Sequence, residues 1–324
     1  MNDLSKIAHE AILQPKESLY AVGQNKNSLK IGVPKEIASQ EKRIALTPLS
    51  VALLVACGHE VLIETGAGEA SNFSDNHYSE QGAQIAYDRG SVFSCDIVIK
   101  IGSPTLDEVG LLKNKTVLFS SHQPSLMELP VLKALMRKQI TALSYEYLKD
   151  EGGQLTVVRA MSEIVGATSV LIAAEYLSNI FDGKGLMLGG VTGVPPTEMV
   201  IIGAGTVGEY AARTAIALGA QVKVFDSSVY RLRRLQNNVG SRVYTSVIQP
   251  VILNKAVLSC DVVIGAYRAS NGRSPCLISE ETVSKMKPNS VLIDVSIDQG
   301  GCFETSEVTS HDKPIFRKYD VIHY

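Results

Sequence analysis

The sequence predicts an α/β protein of two doubly wound domains with mostly parallel sheets, linked by a long helix. Short β-rich runs alternate with amphipathic stretches from Leu29 onward. A proline-free apolar segment, Ala160 to Phe181, interrupts them. After it, Met199-Val-Ile-Ile-Gly-Ala-Gly-Thr-Val-Gly208 opens a second series of the same kind.

In chain order, Lys30 to Val33, Val61 to Glu64, Asp96 to Lys100, Thr116 to Ser120 and Thr141 to Tyr147 read as strands. The amphipathic segments Pro48 to Cys57 and Leu126 to Lys138 lie between them, giving a first domain over residues 28–152. Ala, Ile, Leu and Val recur through Ala160 to Phe181, which reads as a helix long enough to cross between domains. Gly183, Gly185, Gly189, Gly190, Gly193, Pro195 and Pro196 then mark a loop. The second domain, 153–318, continues with strands at Met199 to Ile202, Val222 to Phe225, Asp261 to Gly265 and Ser290 to Val295. Residues 319–324 read as a strand returning towards the first domain, and 1–27 as an N-terminal tail, partly helical around Leu4 to Leu13.

At 324 residues each domain can bury its own core. With 31 basic and 33 acidic side chains the net charge is −2, so nothing in the balance points to nucleic acid or an anionic membrane. No apolar run approaches a membrane span, and residues 1–27 are too polar and too interrupted for a signal peptide. The five cysteines lack any CxxC spacing, which suggests reduced thiols and a cytoplasmic setting; the six histidines show no metal-ligand spacing.

The segment from Met199 carries the most chemistry. An apolar strand runs into Gly203-Ala204-Gly205-Thr206-Val207-Gly208. The first glycine permits the turn, the second lets backbone approach a pyrophosphate and the third lets the next helix pack closely. That helix offers unpaired N–H groups and the positive end of its dipole to phosphates. Asp226, ending the next strand, can accept hydrogen bonds from ribose hydroxyls, and its charge favours NAD over NADP. Arg231, Arg233 and Arg234 nearby weigh the other way. One such turn beside a second α/β domain implies a cleft, with ligands at the carboxyl ends of strands.

Further candidates sit at those strand ends. Asp298 follows the strand Ser290 to Val295, where a nicotinamide would lie, and suits an acid or a polar orienter; alternatively it caps a turn before two glycines. Cys302 has no evident basic partner and reads as a small buried residue. Arg43 could clamp a carboxylate through two parallel bonds, or be a solvated loop arginine. Lys100 suits an anionic substrate, although edge lysines are common. His122 could act as a general acid or base, or be a loop histidine satisfied by backbone.

With Gly-Val-Pro-Lys-Glu and Arg-Ile-Ala-Leu-Thr-Pro (32–48), Glu-Thr-Gly-Ala-Gly-Glu (64–69), Met-Ser-Glu (161–163), the glycine turn and Ile-Asp-Gln-Gly-Gly-Cys-Phe-Glu (297–304), the chain from Leu29 to Tyr324 resembles the alanine dehydrogenases, which share their fold with the nucleotide-binding part of proton-translocating transhydrogenases. The resemblance implies two Rossmann-like domains and reversible oxidative deamination of L-alanine to pyruvate and ammonia with NAD, in a hexamer. It implies Arg43 as the substrate-carboxylate arginine, Asp298 as the catalytic aspartate and Asp226 as the ribose acid. It adds Arg231 near the adenosine, and Ser162 and Ile297 beside the cofactor.

The sequence departs from the family in three places. Gly102 replaces a second, substrate-binding lysine, and Lys100 can substitute only if the loop turns it inward. An ungapped match puts Gln123, not His122, at the catalytic histidine; a glutamine could hold a carbonyl but cannot shuttle a proton at neutral pH, and His122 can serve only if the loop is one residue shorter or differently turned. Family members continue past the equivalent of Tyr324 with a Cys-Val-x-Asn segment and a helix, so a shortened enzyme of reduced stability or activity is expected. A transhydrogenase-like nucleotide-binding subunit and a catalytically impaired NAD-binding protein are the rival readings.

Overall fold

The computed structural model describes residues 28–38, 40–122, 127–268 and 274–324. The chain forms two compact units, dividing between Tyr147 and Leu148. This division falls a few residues before the expected boundary. A small hairpin explains the shift: Lys149 bridges Leu155, and the Thr156 N–H donates to the Leu148 carbonyl at 3.2 Å, tying this stretch to the helix that follows. The expected N-terminal tail lies outside the described residues.

The first unit holds a six-stranded parallel sheet of β1 (Lys30–Val33), β2 (Glu60–Glu64), β3 (Gln84–Ala86), β4 (Ile97–Ile99), β5 (Val117–Ser120) and β6 (Thr141–Ser144). Its order is β3-β2-β1-β4-β5-β6, reversing direction between β1 and β4, which is where an open α/β sheet leaves a crevice. The connections carry α1 (Pro48–Ala56), α2 (Asp75–Ser79), α3 (Arg89–Phe93), α4 (Leu106–Leu111) and α5 (Leu129–Arg137). Local chemistry starts these helices. Thr47 accepts from the Ser50 N–H with Pro48 behind it, and Thr105 and Glu108 form a reciprocal capping box. Ile31, Val33, Val61, Ile63, Val51 and Tyr78 form one apolar cluster, and Val98, Leu118, Val131 and Leu135 anchor another. Gly32 lets α3 lie directly on β1, since a Cβ there would fall 2.2 Å from the Val92 carbonyl oxygen.

Long helix α6 (Thr156–Leu177) connects the two sheets along the chain. Its length and composition would suffice to cross a membrane, contrary to the expectation that no run approaches one. In this fold Val170, Ala173, Tyr176 and Leu177 of α6 belong to the core of the second sheet. That sheet contains β7 (Glu198–Ile202), β8 (Gln221–Asp226), β9 (Tyr244–Val247), β10 (Val262–Gly265), β11 (Val291–Asp294), β12 (Phe316–Lys318) and β13 (Val321–His323). Helices α7 (Thr206–Ala217), α8 (Val229–Val239), α9 (Pro250–Ser259) and α10 (Glu280–Val283) join them. Successive residues of β7 serve opposite faces: Met199 and Ile201 enter one cluster, Val200 and Ile202 the other. Strands buried on both faces read as continuous apolar runs.

The order is β12-β13-β11-β10-β7-β8-β9, parallel except for β12 against β13. The expected return strand at 319–324 is therefore corrected. Tyr319 and Asp320, at φ 56° and 55°, make a two-residue hairpin turn, which sends β13 back beside β11. The Tyr324 N–H donates to the Leu292 carbonyl at 2.9 Å, so these residues stay in the second unit.

Candidate functional site

The glycine turn lies between the end of β7 and the start of α7. Gly203 adopts φ +114°, and a Cβ there would fall 2.3 Å from the Ala266 carbonyl oxygen. Gly208 faces back onto the turn, its Cβ position lying 1.8 Å from the Gly203 carbonyl oxygen. Gly205, the N-cap of α7, differs from both. A Cβ there would meet nothing within 4 Å, and no side chain caps the helix. The first N–H groups of α7, from Thr206 and Val207, thus face an open approach, which fits a pyrophosphate.

Asp226 ends β8 beside this turn with a different engagement from the one expected. It is fully buried, accepting from the Ala204 and Ser228 N–H groups at 2.7 Å each. In this arrangement it fixes the glycine turn to the end of β8. Arg231 is half-buried, with Nη1 3.9 Å from the Asp226 carboxylate. Ser227 and Tyr267 share a hydrogen bond of 2.9 Å, joining the segment after β8 to that after β10. Sequence reasoning missed this hydroxyl pair, although its signal was available: polar residues just past parallel strands sit at the crevice. Ser162, on α6, donates its hydroxyl to the Val158 carbonyl at 2.7 Å.

At the end of β11 the chain turns through Ile297–Gln299, a short 3-10 turn that leaves Ile297 half-buried and Asp298 exposed. Asp298 has no hydrogen-bond partner among the described residues. The turn is held by Asp294, another group the sequence did not disclose. Its carboxylate accepts from the Ser296 N–H at 3.0 Å, the Cys302 N–H at 2.8 Å and the Ser306 hydroxyl at 2.6 Å, while burial pushes its pKa up against those bonds. Cys302 is buried, and desolvation pushes its thiol up to about 12, which removes it as a nucleophile. A cavity of about 360 Å3 beside Ile297 is lined by Ile164, Ile172, Val295, Val308 and Tyr324 and excludes the glycine turn. Its apolar walls do not suit a charged dinucleotide.

In the first unit, Arg43 sits on the loop after β1, its side chain about half exposed. Glu41 accepts from Arg43 Nε at 2.8 Å, Nη2 at 2.6 Å and the backbone N–H at 2.9 Å. The side-chain bonds lower the Glu41 pKa, and the same partner raises that of Arg43, with smaller contributions from Tyr145 and Glu36.

Lys100 departs from the expectation that it meets a substrate anion. It is 2% exposed, and Nζ lies 2.9 Å from Glu108 Oε2, 3.5 Å from Glu36 Oε2 and 3.4 Å from the Ser103 carbonyl oxygen. The ammonium thus makes two hydrogen bonds and a further ion pair within the protein. Arg89 extends the network, with Nη2 2.6 Å from Glu108 and Nη1 3.3 Å from Glu64. Gly102, beside it, leaves room facing Glu36.

His122 is also buried. Its Nε2 lies 3.1 Å from the Ser120 hydroxyl, Nδ1 has no partner among the described residues, and burial lowers its pKa. Gln123 lies outside the described residues. Glu146 accepts from the Ser121 hydroxyl at 2.7 Å, the two residues lying just past the ends of β6 and β5.

The fold and these groups define a two-unit α/β protein whose second unit carries a dinucleotide-binding turn. Residues 32–165 match the alanine dehydrogenase/PNT N-terminal domain and residues 169–324 its C-terminal domain. An alanine dehydrogenase of Mycolicibacterium smegmatis is 39% identical over 91% of this chain and 79% of its own length. Among solved structures, an L-alanine dehydrogenase superposes with a TM-score of 0.86 at 39% identity, covering 91% of this chain and 82% of that one. A transhydrogenase from Sinorhizobium meliloti, at 24% identity and a TM-score of 0.78 over 91% of this chain and 85% of its own, shares the fold. The chain belongs to the alanine dehydrogenase/PNT family.

Proposed function

We propose that this chain is an NAD-dependent alanine dehydrogenase, interconverting L-alanine with pyruvate and ammonium. The observation that carries the reading is its extended likeness to alanine dehydrogenases, with the glycine turn and open α7 N-terminus of a dinucleotide site in place. NAD, when bound, supplies the hydride acceptor. Gly203, Gly205, Thr206, Val207 and Gly208 would hold its pyrophosphate. Arg231 and the Ser227–Tyr267 pair would face the adenosine end, with Asp226 fixing the turn, while Ile297 and Ser162 would border the cofactor.

In this reading Arg43 takes the substrate carboxylate and sets the α-carbon for transfer. Asp298, exposed on a pinned turn, takes a hydrogen bond from the substrate ammonium and orients the amine as the imine forms and water adds. Lys100 is assigned to holding the loop through Glu36 and Glu108, not to the substrate. His122, or a water held by Gln123, is the remaining proton-handling candidate; His122 is buried and would act through Ser120 or after a local rearrangement. The free cysteines fit a cytoplasmic setting, and the exposed Met161, Ile164 and Leu171 of α6 fit a homo-oligomer, hexameric by family resemblance.

A second reading, an NAD-binding protein of low turnover, is favoured by the burial of Lys100 against Glu108 and Glu36 and by the glycine at 102. NADH fluorescence titration alongside initial rates of NADH oxidation with pyruvate and ammonium separates the two. Binding with pyruvate-dependent turnover is the expected result; binding without turnover supports the second reading.

A further inference from the structure

We propose that Glu41 is a positioning residue, anchoring the Arg43 guanidinium by its Nε/Nη2 edge so that the Nη1/Nη2 end stands free to grip a substrate carboxylate. The proposal rests on Arg43 being the carboxylate-binding residue. A guanidinium can bind two carboxylates at once, one side-on through Nε and Nη2, the other end-on through Nη1 and the outer N–H of Nη2. Glu41 takes the side-on position, at 2.8 and 2.6 Å. Nη1 has no partner among the described residues, while the Arg43 side chain is 54% exposed.

The anchor is itself anchored. The Glu41 side chain is only 16% exposed, its Oε1 also accepts from the Arg43 backbone N–H, and the Glu41 N–H donates to the Ala38 carbonyl at 3.0 Å. Between the two residues the Ser71 hydroxyl donates to the Lys42 carbonyl at 2.5 Å. The loop between β1 and α1 is thus pinned just before the pair and within it. An unanchored arginine loses several rotatable bonds of freedom when it grips a ligand; here most of that ordering precedes substrate. With its Arg43 partner half exposed to solvent the ion pair contributes little to stability, so its main effect falls on orientation.

The test compares Glu41→Ala, Glu41→Asp and Arg43→Ala with the unaltered enzyme in reductive amination. For Glu41→Ala the KM for pyruvate is expected to rise about tenfold, the scale of a misplaced binding group, with kcat and NADH affinity retained. Glu41→Asp is expected to recover part of the loss. A KM that is unchanged, or that falls because Glu41 competes with or repels the carboxylate, overturns the proposal. Guanidinium ion added to Arg43→Ala gives an independent readout. Partial rescue of pyruvate turnover is expected with Glu41 present, and equal rescue in the double Glu41→Ala/Arg43→Ala variant overturns the anchoring role. If Arg43→Ala itself leaves the KM for pyruvate unchanged, it is the assignment of Arg43 that has failed.

Discussion

At Lys100 an ammonium meets two carboxylates and a carbonyl in a site closed to water. Removing it would leave Glu108 and Glu36 buried with less compensation, although Arg89 still pairs with Glu108. Lys100→Met is therefore expected to lower unfolding stability by about 3 kcal/mol in urea titrations, the range for breaking a buried pair. Its effect on the KM for pyruvate should be smaller than that of Arg43→Ala; the reverse order would return Lys100 to the substrate. The sequence placed Lys100 at a strand end, but its orientation was not legible there. Its partners come from the loops after β1 and β4 and from helix α4, and only the folded sheet brings Glu36 to it. Asp226 is a parallel case: its place at the end of β8 was readable from the motif, its engagement with two backbone N–H groups was not.

Helix α6 approaches the dinucleotide turn through one small residue. At Gly166 a Cβ would fall 2.4 Å from the Val207 carbonyl oxygen and 2.9 Å from the Tyr210 Cβ, so the first turn of α7 rests against α6 with no side chain between them. Gly166→Ala is expected to push the helices apart, costing about 1–3 kcal/mol of stability and weakening NADH binding as the α7 N-terminus shifts. Calorimetry and fluorescence titration would show both; unaltered NADH affinity would mean the α7 N-terminus tolerates the shift. The long helix was legible from its uninterrupted apolar run, as were the strands buried on both faces. Three-residue β3 and β12 and the short helices α2 and α3 are too brief for periodicity to register. The β12–β13 turn was hidden because Tyr319-Asp320 lacks the usual Asn-Gly or Asp-Gly signal for positive φ.

Among the described residues, each unit buries one histidine in its interior. His122 is held by Ser120; His323, 1% exposed, faces the Val321 carbonyl with Nδ1 at 3.0 Å and the Thr305 hydroxyl with Nε2 at 2.9 Å. Burial lowers both pKa values from 6.5, with backbone carbonyls opposing it. Below about 6.5 the unfolded chain takes up protons that the folded chain refuses. The stability from neutral imidazoles is thus complete above that pH and is lost as pH falls through the window towards the folded values. The melting temperature is expected to drop on acidification from about pH 7 to about pH 5, less steeply in His323→Asn. An equal slope in that variant would assign the acid sensitivity elsewhere.

The family and the two-sheet architecture could be read from the motifs at 32–48, 199–208 and 297–304, because glycine and charge spacing there follow from backbone and phosphate geometry. Glu41, Asp294 and the Ser227–Tyr267 pair required the folded chain, since each works through a contact that no periodicity encodes. The central claim, hydride transfer from alanine, is tested most directly with L-alanine deuterated at its α-carbon. Incubation with NAD is expected to yield pyruvate and NADH carrying the deuterium at C4 of nicotinamide. Deuterium remaining in the amino acid, with NADH binding demonstrated in the same preparation, would contradict it.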